Sequence, residues 1–175
     1  MSTIYWHEMD SPIGRLLLAG ERDRLSLVHF QSTARPRQPD PEWIERSSMF
    51  GAVERQLREY FASKRRTFDL ELMMPGTPFQ RDVWSALRAI PYGETISYAE
   101  LAARLGKPRA VRAVGSANGA NPVPIVVPCH RVIGSDGSLT GFGGGLDLKR
   151  RLLALEGARC VQEPIRDLFA GAGGR

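Results

Sequence analysis

Ser97-Tyr98-Ala99-Glu100-Leu101-Ala102-Ala103-Arg104-Leu105-Gly106, then Lys107-Pro108, then Arg109-Ala110-Val111-Arg112-Ala113-Val114-Gly115-Ser116-Ala117-Asn118, is the stretch that decides the fold. Ser97 is a natural helix cap, and Glu100 three residues on is a capping-box partner. Gly106 ends that helix. Lys107-Pro108 is a short connector, and Arg109 to Asn118 reads as the next helix. A longer helix precedes both. Thr77-Pro78 starts it with proline in the first turn. Phe79, Val83, Trp84, Leu87 and Ile90 recur at helical spacing, and Pro91-Tyr92-Gly93 stops it. Two short helices around a glycine turn form a helix-turn-helix pattern. An ordinary helix hairpin packed on the core has the same spacing. The second helix has a face of Ala110, Ala113, Val114 and Ala117 with Gly115 and Ser116. Small residues allow close approach to a duplex backbone but offer few long side chains to read bases.

Working toward the N-terminus, Ile4 to Met9, Arg15 to Ala19 and Leu25 to Phe30 read as three strands joined by short polar turns, an antiparallel meander. A loop with Pro36, Pro39 and Pro41 follows. Trp43 to Phe61 reads as one amphipathic helix. Phe68, Leu70 and Leu72 alternate as a further strand. Met74-Pro75-Gly76 marks a boundary. The expectation is an α+β chain: an N-terminal unit over 1–75 with a small antiparallel sheet and a helix, a mostly helical, winged-helix-like unit over 76–162, and a tail over 163–175. His7 and His29 lie on predicted strands and read as structural.

The chain has 175 residues and a net charge of +5, from 24 Lys+Arg against 19 Asp+Glu. Residues 1–75 hold 11 basic and 11 acidic side chains, whereas 76–175 hold 13 and 8. Between Glu100 and Asp136 there is no acid. That interval carries Arg104, Lys107, Arg109, Arg112 and Arg131. A local acid-free basic stretch is an electrostatic footprint for phosphates, for which a salt slope of roughly four or five contacts is expected. No apolar run of transmembrane length and no signal-peptide pattern occurs. Two cysteines cannot build a four-cysteine zinc site or a disulfide framework. A soluble cytoplasmic protein, nucleoid-associated in a bacterium, is the default expectation.

Asn121-Pro122-Val123-Pro124-Ile125-Val126-Val127-Pro128-Cys129-His130-Arg131-Val132 carries the chemistry. Prolines stiffen a short apolar run that ends in Cys129. A thiolate near neutral pH needs a cationic or proton-accepting neighbourhood, and His130 and Arg131 adjoin it. Neighbours in an extended segment point to opposite faces, so His130 reaches the sulfur through a water. Gly134 to Gly145 is a glycine-rich loop that fits neither a dinucleotide fingerprint nor a phosphate loop. Leu146 to Leu155 reads as a helix with Glu156 at its C-terminal end. The macrodipole disfavours an acid there, so Glu156 needs a partner, and His130 is a candidate.

Residues 122–132 closely resemble the signature of the O6-alkylguanine-DNA alkyltransferases, the methylated-DNA–protein-cysteine methyltransferases. Gly93-Glu94-Thr95-Ile96-Ser97-Tyr98, Arg109 to Gly115, and Gly144-Gly145-Leu146 through Lys149 to Leu155-Glu156-Gly157 are similar to that family's flanking segments. The N-terminal half matches more loosely, at Asp10-Ser11-Pro12-Ile13-Gly14 and Leu17-Leu18-Ala19-Gly20, where the family has a ribonuclease-H-like domain.

The resemblance implies direct reversal of DNA alkylation: the methyl of O6-methylguanine moves to Cys129 in one turnover without a cofactor, with O4-methylthymine a minor substrate. His130 would deprotonate Cys129 through a water, and Glu156 would orient His130. Tyr98 would assist flipping and protonate the leaving guanine. Arg112 would fill the gap in the duplex, and Asn121 would tie the helix-turn-helix to the active-site turn. Lys107, Arg109, Ala110, Ala113, Gly115 and Ser116 would join Arg112 and Tyr98 on the DNA. Pro124, Val132, Phe142, Gly143 and Gly144 would line the base pocket. Gly143 departs from the hydroxyl residue frequent in relatives, which bears on tolerance of larger alkyl groups. With no cysteine before Cys129, no structural zinc is expected. The partner would be double-stranded DNA, bound through the minor groove with little sequence dependence by a monomer, cooperative loading being left open. Alternatives are a non-transferring DNA-binding relative, a helix-turn-helix regulator and a cysteine hydrolase.

Overall fold

Tyr5–Met9 (β1), Leu16–Glu21 (β2) and Arg24–Phe30 (β3) form the expected antiparallel meander. Met9 faces Leu16 and Tyr5 faces Gly20 across the first pair. These strands belong to a computed structural model that describes residues 2–159; Cys160 and the expected tail over 163–175 lie outside the described residues.

The sheet is wider than the meander. Ile44–Glu45 (β4) adds to β1 and Glu71–Leu72 (β5) adds to β3, giving the order β4-β1-β2-β3-β5. Both edge strands run parallel to their neighbours. Parallel neighbours need a crossover, and Gly51–Phe61 (α1) lies in the connection from β3 to β5. The single helix expected over Trp43 to Phe61 is therefore corrected. Ile44 N–H donates to Ile4 O and Arg46 N–H to Trp6 O, so this segment is held as strand. A 3-10 turn over Ser47–Phe50 follows, and the helix proper begins at Gly51. Arg46-Ser47-Ser48 offers no apolar residue to a helical stripe, whereas Val53, Leu57, Tyr60 and Phe61 do. The later strand is also shorter than the Phe68–Leu72 alternation suggested.

In the second half, Thr77 caps Pro78–Arg88 (α2) with a full capping box: its hydroxyl accepts from Gln80 N–H, and the Gln80 side chain accepts from Thr77 N–H. Ile96–Ser97 (β6) leads into Tyr98–Arg104 (α3). Ser97 accepts from Glu100 N–H at 3.0 Å, and the Glu100 carboxylate turns to Arg104 at 2.6 Å. Gly106, at φ +69°, supplies the left-handed helix end. The next helix, Val111–Gly119 (α4), starts two residues later than expected, leaving Arg109 in the turn and Ala110 at the cap. Val132–Ile133 (β7) pairs with β6 in parallel, and Leu146–Leu155 (α5) closes the described chain.

One hydrophobic core runs through both halves. Leu57, Tyr60 and Phe61 of α1 belong to the same cluster as Val83, Trp84, Ile90, Val127 and Cys129. Trp84 is 3% exposed, and its indole N–H donates to Ala117 O at 2.8 Å, pinning α2 to α4. Among the described residues, no helix is long and apolar enough to cross a membrane.

Candidate active site

Cys129 opens a 3-10 turn over Cys129–Arg131, directly after the proline-stiffened loop. Ile125 in that loop sits at φ +75°, a conformation that a β-branched residue adopts only under strong local constraint. The constraint is visible. Val127 N–H donates to Val123 O, and Cys129 N–H donates to Val127 O. The Asn121 amide donates to Val127 O at 2.8 Å and accepts from Val123 N–H at 3.0 Å. Asn121 thus joins the end of α4 to the cysteine turn. Asn118, one turn earlier, donates to Cys129 O at 3.4 Å.

Glu156 is the hub of the site. Its Oε1 accepts from Tyr60 Oη at 2.7 Å, His130 Nε2 at 2.8 Å and Arg131 Nη2 at 3.0 Å. Its Oε2 accepts from Arg131 Nε at 2.8 Å and Gly93 N–H at 3.2 Å. Arg131 also donates to Ile90 O at 2.6 Å. The His130 and Glu156 side chains are fully buried. A buried charge is tolerable only when paired and hydrogen-bonded, and here the pairing is complete.

Burial alone would raise the Glu156 carboxyl; the bonds from His130 and Arg131 and the positive charge of Arg131 outweigh it and hold the group well below the usual carboxylate range. Burial pushes His130 below its ordinary value, more than Glu156 raises it. The ring is therefore neutral, with Nε2–H given to the carboxylate. Nδ1 is left as the basic nitrogen, buried and without a partner among the described residues. Burial pushes the Cys129 thiol up to about 11 against bonding from Asn121 and the charge of Lys149. The resting sulfur is a thiol, so a nucleophilic role requires a base.

A cavity of about 350 Å³ opens beside the sulfur, lined by Cys129, Asn118, Asn121, Pro124, Phe142 and Gly143. It does not include two expected pocket residues. Val132 is wholly buried, its carbonyl taken by Lys149, and Gly144 packs against Phe30 and Leu148. The far wall is unexpected: Leu27, Val28, His29 and Phe30 of β3 with Arg37. His29, read from sequence as structural, bonds Gln31 at 3.0 Å and also lines this wall. Tyr98 is not part of the cavity lining. Its hydroxyl donates to Thr140 O at 3.0 Å, and its ring lies against α4 at Gly115. Burial raises its phenol, so it is protonated.

The sequence reading missed three residues. Tyr60 and Arg131 hold Glu156. Lys149, fully buried, donates to Val132 O and Thr140 O and lies over the Tyr98 ring. A lysine on the apolar stripe of α5, flanked by Leu148 and Leu152, was the available signal.

The outer face of α4 and its turn is Lys107, Arg109, Arg112, Ala113 and Ser116, all exposed, with Ala110 and Gly115 half-buried. Val114 and Ala117, grouped with this face from spacing, point into the core. The basic footprint also shrinks. Arg131 is turned inward onto Glu156, and Arg104 is paired with Glu100. Among the described residues, Lys107, Arg109 and Arg112 are the cations of this interval outside an ion pair. No group of three His, Cys, Asp or Glu is placed to hold a metal among the described residues.

Two family models match the chain. Residues 78–158 match the DNA-binding domain of 6-O-methylguanine DNA methyltransferase, and residues 4–74 match its ribonuclease-like domain. A methylated-DNA–protein-cysteine methyltransferase of Methanosarcina acetivorans is 48% identical over 155 residues, covering 89% of this chain and 99% of that protein. The Mycobacterium tuberculosis protein of the same name is 51% identical over 161 residues, covering 89% and 94%. The crystal structure of Mycobacterium tuberculosis OGT in complex with DNA superposes with a TM-score of 0.82 at 48% identity, covering 87% of this chain and 92% of that one. With both halves matched in order, the chain belongs to the methylated-DNA–protein-cysteine methyltransferase family.

Proposed function

We propose that this chain repairs alkylated DNA by direct reversal, moving the alkyl group from guanine O6 to the sulfur of Cys129. The observation that carries the assignment is the linked geometry at Cys129: a buried thiol beside the cavity, followed by a histidine with one nitrogen on Glu156 and the other without a partner among the described residues. In the step, the S–C bond forms as the O6–C bond breaks. The thiol proton passes to His130 Nδ1 through a water, and Glu156 stabilises the imidazolium. Guanine leaves as the neutral base once its ring gains a proton, supplied by Tyr98 when its hydroxyl turns from Thr140 O. The thioether is stable, so each molecule acts once and needs no cofactor.

A base inside a duplex cannot reach a buried sulfur, so the nucleotide is flipped. The small outer face of α4 allows close approach to the minor groove, and Arg112 on that face fills the vacated place in the stack. Lys107 and Arg109 contact phosphates, which keeps binding largely independent of sequence. Binding as a monomer suffices for this chemistry.

The test is incubation with duplex DNA containing O6-methylguanine, followed by peptide mass mapping. One methyl on Cys129 per molecule is expected. An intact lesion with unmodified Cys129 refutes the assignment. Cys129→Ser should abolish transfer and retain binding. Arg112→Ala should slow repair in duplex far more than in single strands.

A further inference from the structure

Tyr60 lies in α1, within the half of the chain that carries none of the transfer machinery proposed above. Yet it is wholly buried, and its hydroxyl makes the shortest bond to Glu156, 2.7 Å to Oε1, the oxygen that also holds His130. We infer that Tyr60 is a positioning residue for alkyl transfer: by donating to Glu156 Oε1 it fixes the carboxylate under His130 and limits how strongly that carboxylate can attract a proton onto the ring.

A carboxylate offers about four lone-pair positions, and five donors converge on this one. Each donor withdraws charge from the oxygens. Oε1 divides its charge among Tyr60, Arg131 and His130. Without the tyrosine donor, Oε1 would bear more negative charge toward Nε2–H, and the protonated imidazolium would be favoured. Among the described residues, the other charged or titratable groups that act on the pair are Arg131, Lys149 and Tyr92, with Cys129 next to His130 in the chain. None of them changes in a Tyr60→Phe variant. The ring would still pack against Phe61, Phe68 and Tyr92.

The inference rests on His130 being the base that serves Cys129, so the test reads the histidine as well as the reaction. In the full-length Tyr60→Phe protein, 15N-edited NMR of labelled histidine should show His130 titrating about half a pH unit or more above its value in the parent. The acid limb of the transfer rate should move upward by the same amount. Tyr5→Phe, which deletes a hydroxyl elsewhere in the same half, should move neither. If Tyr60→Phe lowers only the melting temperature and leaves both titrations in place, the tyrosine is structural and the inference is overturned. If the NMR titration moves while the rate profile does not, Tyr60 acts on His130 but His130 does not limit transfer, and the positioning role in the reaction is overturned. Failure of the parent itself to alkylate Cys129 would instead refute the function proposed above, and it would leave the NMR result standing.

Discussion

Gly93 and Glu156 meet across 63 residues of chain: the glycine N–H donates to Oε2, and a Cβ on Gly93 would lie 2.8 Å from the Glu156 carbonyl oxygen. Gly93 also holds φ at +79°, where side chains are strained. Gly93→Ala should therefore destabilise the fold by about 2 kcal/mol or more, through backbone strain and the clash together. Urea unfolding checks the stability. Transfer should slow as well, because relief of the clash moves Glu156 away from His130.

Glu156 and His130 both titrate below their ordinary values, and the signs agree. The histidine contributes stability above pH of about 6.5, the carboxylate above about 4.3, and each contribution is lost as pH falls toward the folded-state value. Unfolding free energy should decline below about pH 6.5 and more steeply below about 4. Glu156→Gln should remove the carboxylate part of this dependence. At neutral pH it should also lower stability by about 3–5 kcal/mol, since Arg131 stays buried without its counter-ion. Denaturant midpoints across a pH series test both.

Cys129 acts at the other end of the scale. Its folded value of about 11 lies above that of an exposed thiol, so its contribution is complete below about pH 8.5 and is lost as pH rises toward 11. About 3 kcal/mol is at stake. Cys129→Ser should flatten the first part of that decline, with Tyr60, Tyr92 and Tyr98 accounting for what remains above pH 10. Lys149→Met should raise the thiol further, because a cation near the sulfur is lost, and should take the lysine donor from Val132 O while leaving Thr140 O its bond from Tyr98. Ultraviolet thiolate titration of parent and variant measures the shift.

Salt dependence distinguishes the full basic interval from its exposed part. With Lys107, Arg109 and Arg112 available to phosphates, log K should fall against log salt with a slope of about −3, below that for five cations. Fluorescence anisotropy on a labelled duplex gives the slope. Removing Lys107 or Arg109 should reduce it by about one each, alike for any sequence.

What the sequence revealed was what depends on near neighbours. The caps at Thr77 and Ser97, the alternation in β1 to β3, and the Cys129-His130 pair are local patterns, and each reads from a few residues. Glu156 was readable because an acid at a helix C-terminus is electrostatically misplaced. Residues whose meaning depends on a distant partner were not readable. Arg131 looked like a phosphate ligand because charge alone does not reveal which way a side chain turns; Glu156, 25 residues on, turns it inward. Trp43 to Phe61 looked like one helix because the partner that holds its first residues as strand, β1, lies nearly forty residues earlier in the chain. The wall of the cavity made by β3 and Arg37 comes from the packing of one half on the other, to which no periodicity points.

The bond from Tyr60 to Glu156 spans 96 residues, and this has a consequence for the order in which a growing chain becomes competent. Cys129 and His130 leave the ribosome before Glu156 does, and the acid closes contacts made with segments synthesised long before it. Long-range closures of this kind form late, after the local elements are in place. The reactive centre is thus expected to be among the last parts of the molecule to be completed, and pulsed hydrogen exchange during refolding checks this at the amides of Gly93 and Cys129. A chain stopped short of residue 156 would carry the nucleophile and the base, with the base unheld and Arg131 lacking its counter-charge.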